Sequence, residues 1–495
     1  MKKIFKILSV LFVLLVLVVV LAVKFGISSI VAKIKPEIEK VVLEKAGAKI
    51  AFDDYSFSLL PTTELALKNI KIIEVDKTTG ISISKIGLRV DPYKLLDKVV
   101  DIKEVLIQEP SIDIINDNGV KRISGFNPPK AKEVKDSSAP SSSDNGSPAL
   151  GKSSGTNSPA GGAVAVTALP FALNVSKISI VNGNFTVDLP KKLVIKNFNF
   201  NVTDFDLAQK SPAKFNVSLD LDGIGSVKDS GTFLFKEIKN DKIEFAGFSG
   251  KIEGSANLIG DELALNFTGG GFSIPKIMEY LGKAPKVAVN STVESLEFKA
   301  NLNKTNPKES MKGNFNLSLG KGEITGLPIF KEIFGRSISV GGVEMSLAQF
   351  LPEQYQKYVT SENTAFDKIS LKTGLIGERV EIGEIKLVSP IFNLDGKGEI
   401  SKDKSIFLKN QFTLAKEVSQ SLAGSKDGKY VLDENGQFII GLDIKKTASD
   451  LKITPDLSAI AKRAAASLLK DKVGKQLDKV APGLGNAVES LKSLF

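Results

Sequence analysis

Cysteine, histidine and tryptophan are all absent from the 495-residue chain. Without cysteine there is no disulfide framework and no thiolate metal site, so packing alone must hold the fold. Without histidine the usual general base, the Ser-His and Cys-His nucleophile pairs and the commonest zinc ligand are missing. Glycine-rich phosphate loops are lacking too. The adjacent Asp53 and Asp54 are the one tempting acid–base pair, but neighbouring strand residues point to opposite faces, which suits a turn and a solvated surface better. These absences point away from an enzyme and toward no cofactor and no metal. Nucleic acid is an equally poor partner, since no arginine stripe or binding module is present. The net charge of +10 comes from 66 basic and 56 acidic residues that are interspersed rather than blocked. That pattern reads first as a solvated surface, with attraction to anionic headgroups as the second reading.

What is present begins with a membrane address. Lys2, Lys3 and Lys6 precede an apolar run from Ile7 to Val23 broken only by Ser9 and closed by Lys24. Together with Ile4 and Phe5 the run approaches the ~20 residues that a helix needs to cross a bilayer. The lysines before it outvote Lys24, which predicts a single-pass anchor with the bulk of the chain exported. A cleaved signal peptide fits less well, because the apolar core is long and Ala22, Val23 and Lys24 make a poor cleavage site.

After the anchor (1–24) a helical pattern opens at Pro36 and stops at Gly47, and from Ala51 the apolar period becomes two. A module over 25–127 is followed by a Ser/Gly/Pro-rich stretch, 128–168, with no apolar period and the composition of a disordered linker. Over 169–454 the alternation is insistent. Phe198, Phe200 and Val202 share one face against Asn199, Asn201 and Thr203, and Phe215, Val217 and Leu219 repeat the pattern before Phe233 and Phe235. Glycine-containing turn pairs at hairpin intervals predict an antiparallel meander, interrupted by two short helices at 274–281 and 327–334. Residues 455–495 return to helical spacing, with Leu457, Ile460, Ala464 and Leu468 on one face and lysines on others.

The order of these segments resembles the AsmA family. The anchor and helix lead into AFDDYSFSLLPTTELALKNIKIIE with its Leu60-Pro61 turn, then a short helix at Pro92 to Leu96, then a strand ending at Glu109-Pro110 and a turn near Asp117 and Gly119. GFSIPKIMEYLGKAP and GKGEITGLPIFKEIFG continue the likeness. The resemblance implies a mainly β fold in which the transmembrane helix is followed by a long, bent antiparallel β-sheet groove (β-taco-like), with few short helices and amphipathic C-terminal helices. It implies an inner-membrane anchor with the bulk in the periplasm, and phospholipid transport or outer-membrane homeostasis as the work. Roughly 20 strands at about 4.8 Å each would give a groove on the order of 95 Å long.

On this reading acyl chains lie against Phe198, Phe200, Val202, Phe215, Val217, Leu219, Phe233 and Phe235, while ordinary packed core is the competing role for each. The C-terminal helix would contact a membrane through Lys470, Lys472 and Lys475, or simply pack on the last strands. Expected partners are phospholipid, the inner membrane, and an outer membrane or outer-membrane protein at the far end. The alternative function is an assembly factor that contacts outer-membrane proteins by edge-strand addition.

Overall fold

The computed structural model describes residues 36, 39–40, 48–124 and 172–467, apart from interruptions at 59–62, 75–79, 98, 118–119, 189–191, 206–209, 235–236, 341–342, 426–427 and 448–449. The expected anchor at 7–23, the linker at 128–168 and Lys470, Lys472 and Lys475 lie outside these residues. Among the described residues no helix is long and apolar enough to cross a membrane. The chain is mainly β and divides into two compact units, one ending at Phe215 and the other beginning at Asn216.

In the first unit β1 (Ala48–Ala51) and β2 (Asp54–Ser58) both pair with β3 (Thr63–Glu74). Antiparallel pairing continues through β4 (Ile81–Asp91) to β5 (Val99–Gln108). Asp54 opens β2 and is ion-paired with Lys68 at 3.3 Å on the surface. The expected helix near Pro92 is a 3-10 turn, Tyr93–Asp97. A hairpin of β6 (Ser111–Asp117) and β7 (Val120–Ile123) follows. Here the expected all-antiparallel meander is corrected. Strands β8 (Ala172–Val175) and β9 (Lys177–Val187) run parallel to β5, and β9 also runs parallel to β6. A parallel return needs a long connection, which a hairpin turn cannot provide. Strand β10 (Leu193–Thr203) pairs antiparallel with β9, and β11 (Ala213–Leu221) contains the division between the units.

The second unit is the meander in full. Strands β12 (Gly225–Leu234), β13 (Glu237–Gly247), β14 (Gly250–Ile259) and β15 (Glu262–Gly270) pair in sequence. After the two-residue β16 (Phe272–Ser273), the helix α1 (Ile274–Leu281) begins at the N-cap Ser273 and ends at Gly282, whose φ of 61° only glycine adopts freely. Then come β17 (Ala288–Asn290), β18 (Thr292–Asn303), the turn of helix α2 (Pro307–Ser310), β19 (Lys312–Leu319) and β20 (Gly322–Thr325). The helix α3 (Ile329–Phe334) starts after Pro328, close to its expected place.

The rest of the chain holds helices that the apolar period did not announce. A hairpin of β21 (Ser337–Val340) and β22 (Val343–Ser346) leads to α4 (Glu353–Val359), β23 (Thr364–Phe366) and β24 (Lys368–Ile376). Strands β25 (Arg379–Val388), β26 (Phe392–Ile400) and β27 (Ile406–Leu414) precede α5 (Lys416–Ala423), and β28 (Ile439–Lys446) and β29 (Leu451–Asp456) close the sheet. The continuous antiparallel order is β12, β13, β14, β15, β18, β19, β24, β25, β26, β27, β28, β29. Eleven spacings of about 4.8 Å make this ladder roughly 53 Å from edge to edge. Pro455, expected to open a helix, lies in β29 opposite Leu442, and among the described residues the helix α6 covers 458–467.

Candidate functional site

Register decides which side chains share a face, because directly opposed residues on neighbouring strands point the same way. In the first unit Leu65, Leu88, Val105, Ile178 and Val202 form one row across β3, β4, β5, β9 and β10, and Leu67, Ile86, Ile107, Ile180 and Phe200 form the next. The opposite face carries ions. Glu64, Arg89 and Glu104 stand opposite one another, with Arg89 bonded to Glu64 at 3.0 Å and to Glu104 at 2.7 Å. Lys85 reaches Glu64 at 2.6 Å and Lys177 reaches Glu104 at 2.8 Å, while Ser179 Oγ lies 3.1 Å from Glu104 and 3.0 Å from Asn201. Burial works against the Glu104 charge, but Lys177, Ser179 and Arg89 outweigh it and hold the carboxyl below its ordinary pKa.

The same two-faced logic runs through the second unit. Ile243, Gly254, Phe267, Phe298 and Phe315 are opposed across β13, β14, β15, β18 and β19, and Ala256, Leu265, Ala300 and Gly313 form a parallel row. Gly254 lies under the ring of Phe267, and a Cβ there would come within 2.5 Å of the ring edge and 2.1 Å of the Asn266 carbonyl, so only glycine fits. On the other face Lys228, Glu244, Glu253, Thr268, Glu297 and Asn316 are opposed in turn. Lys242 and Lys251 bridge Glu244 and Glu253, and Lys299 reaches Glu297 at 2.6 Å. One face of the sheet is thus a lattice of ion pairs and the other is apolar.

That apolar face is covered very unequally. Toward the end of the unit, α3 buries Ile329, Phe330, Ile333 and Phe334 and α5 buries Val418 and Leu422 against the sheet. The rings of α3 meet Phe392 of β26 and Phe438 just before β28, with Phe334 to Phe438 at 5.0 Å, and Phe392 stacks on Phe412 of β27 at 4.7 Å between centroids. Between Asn216 and Gly271, by contrast, no described apolar side chain is buried, and Val227, Ile243, Leu258, Leu265 and Phe267 are all half-exposed. Ile238 on this face is exposed outright, and Ile259, also exposed, stands on the opposite face between Glu237 and Glu262. Phe267, Phe298 and Phe315 belong to neither buried cluster.

One polar pair interrupts the open face. At the bulges of β12 and β13, Asn240 Nδ2 donates to both carboxylate oxygens of Asp229, at 2.7 and 2.8 Å. Burial pushes the Asp229 carboxyl above its ordinary pKa, despite the bonds from Asn240 and the Ser230 backbone.

The sequence-predicted residues fall into distinct places. Phe198 and Phe200 are half-buried at the far end of the first unit's apolar rows, where Phe198 meets Phe185 edge-on at 5.2 Å. Val202 and Phe215 are buried, at 2% and 8% exposure, and a side chain that is already dry gains little from an acyl chain. Val217, Leu219 and Phe233 are half-buried in the second unit, and Phe235 lies outside the described residues. Phe267, Phe298 and Phe315 are a grouping the sequence did not assemble. Each sits in a visible alternation, but the register that aligns them spans the 21 residues between β15 and β18, which include β16, α1 and β17, and no local pattern specifies it.

A sequence model of the AsmA family matches residues 1–335. The chain belongs to the AsmA family. The match takes in the first unit and every strand of the half-covered face, and it stops at the C-cap of α3. No curated protein and no solved structure matches the chain.

Proposed function

We propose that this AsmA-family protein is not an enzyme but binds phospholipid, with acyl chains lying along the open apolar face of β12 to β15, β18 and β19 and headgroups in water. The observation that carries this reading is the apolar face between 216 and 271, where no described apolar side chain is buried, Phe245, Phe248 and Ile252 pack at the edge of the buried core, and Val227, Ile243, Leu258, Leu265 and Phe267 stay half-exposed. Soluble sheets cover such a face with protein, and a single layer left half-covered over several strands is matched to a ligand that is itself apolar. Phenylalanine and branched aliphatics line it without obligatory hydrogen-bond donors, which suits chains of variable length and unsaturation. Family membership and the N-terminal lysine-flanked apolar run support an inner-membrane anchor with the bulk in the periplasm, and a role in lipid transport or outer-membrane homeostasis.

At the C-terminus, Ile460 and Ala464 of α6 are buried with the aromatic core, so this end of the helix packs on protein. Membrane contact through Lys470, Lys472 and Lys475 belongs to the part of the chain beyond it. The test is mass spectrometry of lipid co-purifying with the full chain after gentle extraction, for the wild type and for Phe267→Asp. Phospholipid on the wild type, strongly depleted in the variant, is the expected result. Co-purifying protein with no lipid would favour the assembly role instead.

A further inference from the structure

Carboxylates on the ladder of the second unit are usually met by lysines. Glu244, Glu253, Glu297 and Glu384 stand on the polar face, each within ion-pair distance of at least one lysine. Asp229 departs from that habit twice. It stands opposite Ile243, in the row that continues through Gly254 to Phe267 and Phe298, and so lies on the open apolar face. The lysines nearest in sequence are turned away or engaged. Lys228 stands opposite Glu244 on the polar face, Lys239 pairs with Glu237 at 3.7 Å, and Lys242 pairs with Glu244. Among the described residues no lysine or arginine pairs with Asp229.

Its side-chain partner is Asn240, whose Nδ2 spans both carboxylate oxygens at 2.7 and 2.8 Å. A neutral amide leaves the charge in place, and burial with no cation to offset it pushes the carboxyl above its ordinary range. The bulge between β12 and β13 sets Gly231 opposite Asn240, so that neighbour has no side chain to cover the pair, and both Asp229 and Asn240 are half-buried. With the bond from the Ser230 backbone the carboxylate accepts three hydrogen bonds, and an ionised carboxylate has room for about four. Asn240 Oδ1 accepts none from the described residues. What remains unused at this spot is acceptors only. An acyl chain laid along the whole row would strip water from the carboxylate and leave its charge unpaired, which is costly unless the ligand itself brings a donor there.

We propose that Asp229 and Asn240 form a subsite for a primary ammonium group, carried by the headgroup of a phosphatidylethanolamine-type lipid whose acyl chains lie along the row of Phe267 and Phe298. The choice of a lipid as the source rests on the lipid-binding reading above; the preference for an ammonium does not. An ammonium offers three donors and a full positive charge, so it fills the unused acceptors and neutralises the carboxylate in one contact. A phosphatidylglycerol headgroup has hydroxyl donors but brings an uncompensated phosphate charge toward Asp229, and like charges repel. Three strand spacings of about 4.8 Å separate Asp229 from Phe267, roughly 14 Å, which is shorter than a phospholipid measured from its ammonium to its acyl ends.

The experiment titrates the full chain in a maltoside detergent with dihexanoyl-phosphatidylethanolamine, its N-acetyl derivative, dihexanoyl-phosphatidylglycerol and free ethanolamine, and reads the heat of binding. The wild type, Asp229→Asn and Phe267→Asp are compared, each checked by circular dichroism. The wild type should bind the amine lipid at least about tenfold more tightly than the other two lipids. Asp229→Asn, which keeps the side chain's shape, should bind all three alike. A wild type without that preference, or a preference that survives in Asp229→Asn, overturns the proposal. All three lipids bound alike by the wild type and lost in Phe267→Asp sinks this subsite alone and leaves the acyl surface standing. Free ethanolamine bound as tightly as the amine lipid, lost in Asp229→Asn and kept in Phe267→Asp, retains the ammonium site and removes the lipid as its source. No saturable binding of any of the four sinks both claims.

Discussion

Phe267 and Phe412 occupy equivalent positions in one meander. Each stands on the apolar face of an antiparallel strand, each has an apolar residue opposite, and each is followed by a threonine on the polar face. Phe412 is fully buried beneath the rings of Phe392 and Phe438, whereas Phe267 is half-exposed. The strands are the same kind of object in both regions, and the difference is made by what lies above them. Helices α3 and α5 cover β26 to β28 and nothing comparable covers β12 to β15. A sheet with one apolar face is therefore an unfinished layer, and this unit finishes it with helices in one region and leaves it open in the other.

Charge insertion breaks the comparison most sharply. Phe412→Asp places an unpaired carboxylate in a sealed aromatic core and should cost at least about 4 kcal/mol, enough to unfold the second unit. Phe267→Asp leaves the carboxylate access to water and should cost under about 2 kcal/mol. Chemical denaturation of the two variants checks the ordering, and equal losses would mean that Phe267 is core.

Truncation gives a smaller version of the same contrast. Phe438→Ala should lose roughly 3–5 kcal/mol through transfer and cavity effects, while Phe298→Ala, already half-exposed, should lose about 1 kcal/mol. Denaturation midpoints measured side by side would show whether the gap exists.

The ionic face of the first unit has its own signature. Glu64 and Glu104 both have pKa values lowered in the folded state, so their contribution is full above the unfolded glutamate value and is lost as pH falls through the folded one. Stability should fall on acidification below the ordinary glutamate range of about 4.3. Glu104→Gln should lose about 1–3 kcal/mol at neutral pH by leaving Arg89 and Lys177 short of a counter-charge, and should flatten that acid limb. Urea titrations at neutral pH and below pH 4 measure both effects.

Asp229 runs the other way and gives the smallest effect. Its raised pKa means that its contribution is present at low pH and diminishes as pH rises through the folded value. Asp229→Asn should leave stability at neutral pH unchanged or raised by no more than about 1 kcal/mol. A clear loss in thermal melts would show that the charged form is needed for its bond from Asn240.

Much of this fold was legible in the chain. Two-residue alternation marked the strands, and Ser273 and Gly282 bracketed α1 because capping chemistry is local. Two things were not legible. The parallel return of β8 and β9 to β5 is a long-range pairing across the segment between β7 and β8, and no turn signal encodes it. Helices α4 and α5 are about two turns long and, unlike α1 with Ser273, have no side-chain N-cap to announce them, and yet α5 supplies part of the cover over the aromatic core. At the candidate site, alternation identified apolar faces but could not separate sealed from open. Val202 and Val217 look alike in sequence, and only the rows they join decide that one is buried and the other is not.

The most direct test of the account places photo-crosslinking residues at Phe267 and at its outward neighbour Thr268 in the full chain, in native membranes. Labelling of phospholipid from position 267 and not from 268 is the expected result, since consecutive strand residues face opposite ways. Equal labelling from both positions, or lipid-free crosslinks from 267 to other residues of this chain, would contradict an open apolar face that holds lipid.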